Sequence, residues 1–146
     1  MEPGNELIFG KLISAIHRKA IQIVKFKLKD YDIEVGQIFL LWFIHNHDGI
    51  SQEQVAQNFH LDKATVSKNV KSLIRLGYLR KTVNPQDQRE YRLSTTKRAK
   101  VLSPQLEGIL KDINELMIKN VSKEEQIQLI DTLERVLENI EVCDKG

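Results

Sequence analysis

The sequence predicts a mainly α-helical fold that carries one small β-hairpin. Apolar residues recur at three- and four-residue spacing over most of the chain, two serine-led capping boxes mark helix starts, and two β-like runs flank a turn-rich segment. With 146 residues, of which 41% are hydrophobic and 29% charged, the chain is expected to be one domain, 1–146, with a core of its own.

Long helices are predicted at both ends of the chain. The first spans residues 6–29, and helical periodicity returns after Thr96, with Pro104 expected to kink or reset the helix and a capping box at 122–125 starting the last one. The apolar stripes of 6–29 and 100–142 would expose large patches if left alone. We therefore predict that these helices form a dimerisation region, with folding back inside one monomer as the alternative.

The middle of the chain begins with a central helix. Residues 35–46 are apolar almost all round, which is typical of a buried helix. After a turn, Ser51 and Gln54 form a capping box, which predicts a short helix that ends near Asn58.

A second helix follows after a connector of three residues, 59–61. Asp62 is a good N-cap for a helix from Lys63 to about Leu76, and Gly77 is a standard signal for its end. The short helix, the connector and this helix together predict a helix-turn-helix over residues 51–76.

The predicted hairpin lies directly behind this motif. Residues 78–83 and 90–94 alternate in the manner of strands, and residues 84–88 between them are rich in turn formers. We assign residues 78–94 to a wing, and residues 35–96 as a whole to a winged helix-turn-helix lobe.

Positive charge is concentrated in this lobe. Between Lys63 and Lys100 there are 11 basic and 2 acidic residues, a formal charge of +9, whereas the remaining 11 basic and 18 acidic residues give −7. Such a block favours a polyanionic partner, of which nucleic acid is the commonest. On charge alone, a solvated basic face without a partner remains equally open.

The second helix of the motif separates apolar from cationic residues. Val66, Val70 and Leu73 share one side, and the opposite side carries small residues, hydroxyls and cations without any acid. Small residues allow close approach to a major groove, while hydroxyls and lysines reach base edges and phosphates. We predict contacts to double-stranded DNA by Ala64, Thr65, Ser67, Lys68, Lys71 and Arg75.

The wing offers a second contact. Arg89 lies near the predicted tip, and a tip of this kind reaches narrow minor grooves, which attract arginine. Asp87 lies two residues earlier. In one interpretation its side chain orients Arg89 through a hydrogen bond, and in the other it forms a local salt bridge that only stabilises the turn.

The segments 73–80 and 84–96 resemble the MarR family of bacterial and archaeal regulators. The family's wing signature is Asp-x-Arg-x-x-x-Leu-x-Leu-Thr, and it is matched here by Asp87, Arg89, Leu93 and Thr96. Thr95 replaces the usual leucine, and Ala99 stands where the family often has glycine. These departures fall at the junction of strand and helix and leave the DNA-contacting positions unchanged.

The resemblance implies an obligate homodimer, with the helix after Asp62 in the major groove and Arg89 in the minor groove. A two-fold dimer reads a pseudo-palindromic operator with half-sites about one helical turn apart. The function predicted is that of a sequence-specific transcriptional repressor, which a small effector releases from its operator.

Many members of this family bind small aromatic or anionic ligands where the dimer region meets the DNA-binding lobe. The resemblance makes His17, Arg18, Trp42 and His45 candidates for such a pocket. Tryptophan and histidine at these positions are also ordinary core and helix-end residues, so both interpretations stay open.

Other functions find less support. His45, His47, Asp48 and His60 lack the spacing of a structural zinc site, and no cysteine is near them, so we predict no metal and no cofactor. No nucleophile motif is present, so the chain is not expected to be an enzyme. A metal-responsive regulator and a winged-helix protein-interaction module remain as alternatives, although a docking face more often carries exposed apolar anchors.

The sequence also bears on location. Its start lacks the basic and apolar regions of a secretory signal, and the longest apolar run, 38–44, is far shorter than the about 20 residues of a membrane span. Cys143 is the single cysteine and cannot form an internal disulfide. We predict a cytoplasmic protein without membrane contact.

Overall fold

The computed structural model describes Gly4 and residues 7–144, without the side chain of Asp144. Over these residues the chain forms six helices and one hairpin, as the sequence predicts. They are α1 (Ile8–Lys27), α2 (Val35–Asn46), α3 (Gln52–Phe59), α4 (Lys63–Arg75), β1 (Leu79–Asn84), β2 (Asp87–Thr95), α5 (Lys97–Met117) and α6 (Lys123–Asp144). The predicted start of the first helix at residue 6 lies outside the described residues. The chain divides into two compact units, 1–113 and 114–146.

The core of the first unit is built around α2. Its side chains Ile38, Leu40, Leu41 and Ile44 are at most 2% exposed, which confirms the buried central helix expected from its uniformly apolar sequence. The apolar sides of the neighbouring elements complete this core with Val24, Val55, Val66, Val70, Leu73, Leu79 and Leu93. Removing such side chains from water is the main favourable term in the stability of the lobe.

Side-chain caps start α3 and α4 where the sequence places them. The Ser51 hydroxyl accepts from the N–H of Gln54 at 3.2 Å, and the Gln54 side chain accepts from the N–H of Ser51 at 3.0 Å. Asp62 Oδ1 accepts from the N–H of Thr65 at 2.6 Å. Left-handed residues end both helices, His60 with φ 54° after α3 and Gly77 with φ 83° after α4.

The hairpin is tighter than predicted. Asn84 pairs with Asp87 across a turn of Pro85 and Gln86, so the five-residue loop expected over 84–88 is wrong. The pairing is irregular at this point, because Val83 pairs with Tyr91 and the register shifts between Val83 and Asn84. The Asn84 side chain explains the difference, because Oδ1 accepts from the N–H of Gln86 and Nδ2 donates to Glu90, both at 3.0 Å. Proline supplies the backbone angle that a turn requires at its first central position.

Two contacts attach the hairpin to the helices. Ile50 and Leu93 form a β-bridge, with the N–H of Leu93 donating to the Ile50 carbonyl at 2.8 Å. At the end of β2, Thr96 caps α5 by accepting from the N–H of Ala99 at 3.3 Å, and its hydroxyl donates to the Gly77 carbonyl at 2.6 Å. The base of the hairpin is thereby bound to the end of α4 and the start of α5.

Helix α5 passes through Pro104 without a break, so the predicted reset at this residue is wrong. Proline removes one N–H from the helical ladder and leaves the carbonyl four residues earlier without its partner. Both Pro104 and Lys100 are exposed residues, and the helix continues past them to Met117.

The second unit contains α6, which starts at the predicted capping box. Ser122 Oγ accepts from the N–H of Glu125 at 3.2 Å, and Glu125 Oε2 accepts from the N–H of Ser122 at 2.8 Å. From Lys123 to Cys143, none of the described side chains is buried. In the described part of the chain, every helix is too short or too polar to cross a membrane.

Candidate nucleic-acid interface

Helix α4 presents its cationic side to solvent. Val66, Val70 and Leu73 are at most 1% exposed, so the helix is held firmly by its apolar side. Of the predicted contact residues, the structure exposes Ala64, Lys68, Lys71 and Arg75 and leaves Thr65 and Ser67 half-buried. The outward side is thus available to a polyanion along the length of the helix.

Asp62 places a carboxylate at the start of this cationic helix. The N–H of Thr65 donates to it and is the main cause of the lowered pKa of Asp62, with a further contribution from the Thr65 hydroxyl. Its negative charge faces the positive end of the helix dipole, so the acid serves as a cap.

The cations of α4 line a groove shared with the start of α2. The groove has a volume of about 540 Å³, and its walls combine three cations, one carboxylate, two amides and one hydroxyl: Glu34, Gln37, Lys68, Asn69, Lys71, Ser72 and Arg75. The structure therefore brings three of the predicted contact residues together at one site.

The groove also contains residues that were not predicted as site residues. Gln37 is 3% exposed, its Oε1 accepts from the N–H of Glu34 at 3.0 Å, and its Nε2 donates to Ser72 Oγ at 2.9 Å. The one sequence signal for it is an amide in the first turn of a helix whose next seven residues, 38–44, are all apolar. Ser72 lies beside the predicted cations, but its bond to α2 depends on tertiary packing.

The wing exposes Arg89 at its tip. Asp87 Oδ1 accepts from the backbone N–H of Arg89 at 3.0 Å, so the Asp87 side chain stabilises the turn that carries Arg89. With Asn84 holding Gln86 in the same way, two side chains fix the tip by bonding to amides two residues later. The role of Asp87 in orienting Arg89 on DNA stays a prediction.

Three side chains join the base of the wing to the rest of the lobe. Arg98 donates to the Leu76 carbonyl at 2.7 Å and to Asp32 Oδ2 at 2.9 Å, and its guanidinium lies 4.5 Å from the centre of the Tyr78 ring. The Tyr78 hydroxyl donates to Asp32 Oδ1 at 2.5 Å. Burial raises the pKa of Tyr78 and the bond to Asp32 raises it further, while Arg98 opposes both, so the phenol remains a donor at neutral pH.

The four residues suggested for an effector pocket fall on two helices. His17 and Arg18 are exposed on α1, where Arg18 donates to Ser14, while Trp42 and His45 are half-buried on α2. His45 Nδ1 lies 3.4 Å from the Thr95 hydroxyl. None of the four lines the groove between α2 and α4. The pocket stays a prediction.

A metal site finds no support in the described residues. Across Gly4 and residues 7–144, no group of three or more histidine, cysteine, aspartate or glutamate side chains is placed to hold an ion.

The helix pair α3–α4, followed by a hairpin with an exposed arginine at its tip, defines a winged helix-turn-helix protein. A family model described as "MarR family" matches residues 31–90. YybA, an HTH-type transcriptional regulator of Bacillus subtilis (strain 168), is 29% identical over 129 residues, which cover 88% of this chain and 86% of YybA.

Solved structures agree with this. A Listeria monocytogenes protein solved with 26mer DNA is 27% identical, with a TM-score of 0.82 over 89% of this chain and 87% of that one. MepR of S. aureus, solved as a DNA complex, has the same fold, with a TM-score of 0.85 at 24% identity over 94% of this chain and 99% of MepR. The chain is therefore similar to MarR-family transcriptional regulators, and the part of it that matches the family model, 31–90, includes the helix-turn-helix and most of the wing.

Proposed function

We propose that this protein binds double-stranded operator DNA as a homodimer and represses transcription. The observation that carries the proposal is the outward side of α4, where Lys68, Lys71 and Arg75 are exposed while the apolar side is buried. In this arrangement α4 enters the major groove and Arg89 of the wing reaches the adjacent minor groove. The Listeria protein, solved with 26mer DNA, and MepR, solved as a DNA complex, support DNA binding by this chain.

Exposed apolar side chains on the terminal helices support the homodimer. On α6, the residues Ile127, Ile130, Leu133, Leu137 and Ile140 are 38–65% exposed, and on α1 the residues Ile8, Phe9, Leu12, Ile13 and Ile16 are 39–56% exposed. Apolar stripes of this length mark interaction surfaces, and a second copy of the chain covers them in this proposal.

Selection of bound sequences from a random pool of DNA duplexes tests DNA binding and symmetry together. We expect enrichment of a pseudo-palindrome whose half-sites are about one helical turn apart. Enrichment of a single unrepeated half-site would contradict the dimer. No enrichment at low ionic strength would contradict DNA binding and would favour the protein-interaction alternative.

An effector that favours a different spacing of the two α4 helices would lower the affinity for the operator. We include in the proposal a small aromatic or anionic effector near His17, Arg18, Trp42 and His45. Trp42 is the single tryptophan of the chain and therefore reports on this region. Saturable quenching of its fluorescence by an aromatic carboxylate such as benzoate, together with release from the operator, is the expected result. The absence of both effects would contradict an effector site at these residues.

A further inference from the structure

The hydroxyl of Ser72 has hydrogen-bonding capacity that the described residues do not use. Its oxygen accepts from Gln37 Nε2 at 2.9 Å and, in a longer contact, from Arg75 Nη2 at 3.4 Å. A serine hydroxyl has two acceptor lone pairs and one proton, so both lone pairs are engaged. Among the described residues, no acceptor takes the remaining proton, although serine inside a helix often donates to the carbonyl four residues earlier.

Ser72 lines a groove with an excess of positive charge. Lys68, Lys71 and Arg75 line the groove at spacings of three and four residues along α4, which places them on one side of that helix. Glu34 is the opposing charge, at the start of α2. Three cations against one carboxylate, with a hydroxyl donor among them, match the charge and the acceptor oxygens of a tetrahedral oxyanion.

We propose that the groove between α2 and α4 is a phosphate-binding subsite in which the Ser72 hydroxyl donates to a phosphate oxygen. Lys68, Lys71 and Arg75 neutralise its charge. Gln37 is a positioning residue, because its buried amide engages one lone pair of Ser72 and directs the hydroxyl proton away from α2. The phosphate is either a backbone phosphate of DNA, in which case the subsite rests on the proposed function, or a free phosphate-bearing anion.

Titration of the full-length protein with inorganic phosphate, without DNA, tests the subsite directly. At constant ionic strength, we expect saturable NMR shifts of the Asn69 and Ser72 amides. The Ser72→Ala variant is expected to bind phosphate at least about tenfold more weakly, because it loses a hydrogen bond to a charged acceptor. Ser94→Ala is the control, since Ser94 is also half-buried but lies in β2, outside the groove. Equal affinities of wild type and Ser72→Ala, or no saturable shift, would overturn the subsite.

Glu34→Gln gives a test of opposite sign. Removing the opposing carboxylate is expected to tighten phosphate binding, because the attraction of the three cations is then unopposed. Weaker phosphate binding by this variant would contradict an anion in the groove.

Operator binding distinguishes the two sources of phosphate. If a DNA phosphate occupies the subsite, Ser72→Ala weakens operator binding and phosphate competes with DNA more strongly than chloride at equal ionic strength. If Ser72→Ala loses phosphate affinity alone, the occupant is a free anion. Operator binding without any phosphate binding would overturn the subsite but not the proposed function. Phosphate binding without operator binding would support the subsite and overturn the proposed function.

A double-variant cycle tests the positioning role of Gln37. If Gln37→Met acts through Ser72, it weakens phosphate binding in the wild-type background but has no further effect in Ser72→Ala. Additive losses would assign Gln37 a merely structural role. Thermal melting of each variant shows that the comparison is made between folded proteins.

Discussion

Helices α4 and α6 are both amphipathic, but the apolar side of α4 is buried and the apolar side of α6 is exposed. On α4, Val66, Val70 and Leu73 are at most 1% exposed, whereas on α6, Ile130 and Leu133 are 58% and 40% exposed. Apolar residues recur at similar spacing in the two helices, so the sequence pattern does not predict which apolar side is buried. The difference teaches that the apolar side of α4 is buried within its own chain, while that of α6 is exposed, as the proposed homodimer requires.

This contrast predicts that assembly and DNA contact are separable. The outward side of α4 consists of solvated charges that packing does not require, so replacing them changes affinity without changing the fold. Replacing the apolar side of α6 changes assembly first, and operator binding follows because two half-sites are bound together.

The largest effect is expected for the double variant Ile130→Asp with Leu133→Asp. Two carboxylates on the apolar side of α6 oppose burial against a second copy, so the protein becomes a monomer. Because the second half-site is then lost, operator affinity falls by about 10²- to 10⁴-fold. Light scattering after gel filtration measures the mass, and fluorescence anisotropy measures the affinity. Gln128→Asp, on the polar side of α6, is the control, and a dimeric double variant would contradict this assignment.

Arg89→Ala is expected to weaken operator binding by about 1–3 kcal/mol without unfolding the protein or changing its mass. The loss arises because the guanidinium no longer reaches the minor groove, whereas the turn stays intact through Asn84 and Asp87. Gln88→Ala changes the neighbouring exposed residue and serves as the control. Unchanged affinity of Arg89→Ala, measured by anisotropy, would remove the wing from the mechanism.

Features that depend on neighbours along the chain could be predicted from the sequence. The caps at Ser51 and Asp62 and the buried helix α2 are of this kind, since each follows from residues within one or two turns. The prediction of the hairpin turn was wrong because hydrogen bonds of the Asn84 side chain close the turn, and the composition of the segment does not reveal these bonds. At Pro104, the helix continues through the proline, an outcome that the residue type alone does not predict.

The residues of the candidate site also fall into two groups, those that local sequence predicts and those that depend on tertiary packing. The cations of α4 were predictable, because a helix with one apolar side must expose the other. The bond between Gln37 and Ser72 joins residues 35 positions apart, so it depends on how α2 packs against α4 and has no local signature.

Lys68→Ala and Lys71→Ala are expected to flatten the salt dependence of operator binding. Each lysine that contacts a phosphate releases about one counterion, so each substitution lowers the slope of log K against log salt by about 0.9. Affinity measured between about 50 mM and 200 mM salt gives this slope. Lys111→Ala, an exposed lysine of α5, should leave it unchanged. A wild-type slope in both α4 variants would show that these lysines do not contact DNA.

The smallest effect is expected at Asp62, and it depends on pH. The pKa of Asp62 is lowered from the ordinary value of 3.8, mainly by the N–H of Thr65. The charged cap therefore stabilises the folded protein fully above about pH 4, and this contribution is lost as the pH falls through the lower pKa of the folded state. Asp62→Ala therefore melts below wild type at pH 7, and the difference shrinks toward pH 3. Asn is a good cap without a titrating group, so the advantage of Asp62→Asn over Asp62→Ala stays constant. Thermal melts of the three proteins across this range decide the point: a gap between wild type and Asp62→Ala that does not change with pH would mean that the charge of Asp62 contributes nothing to the cap.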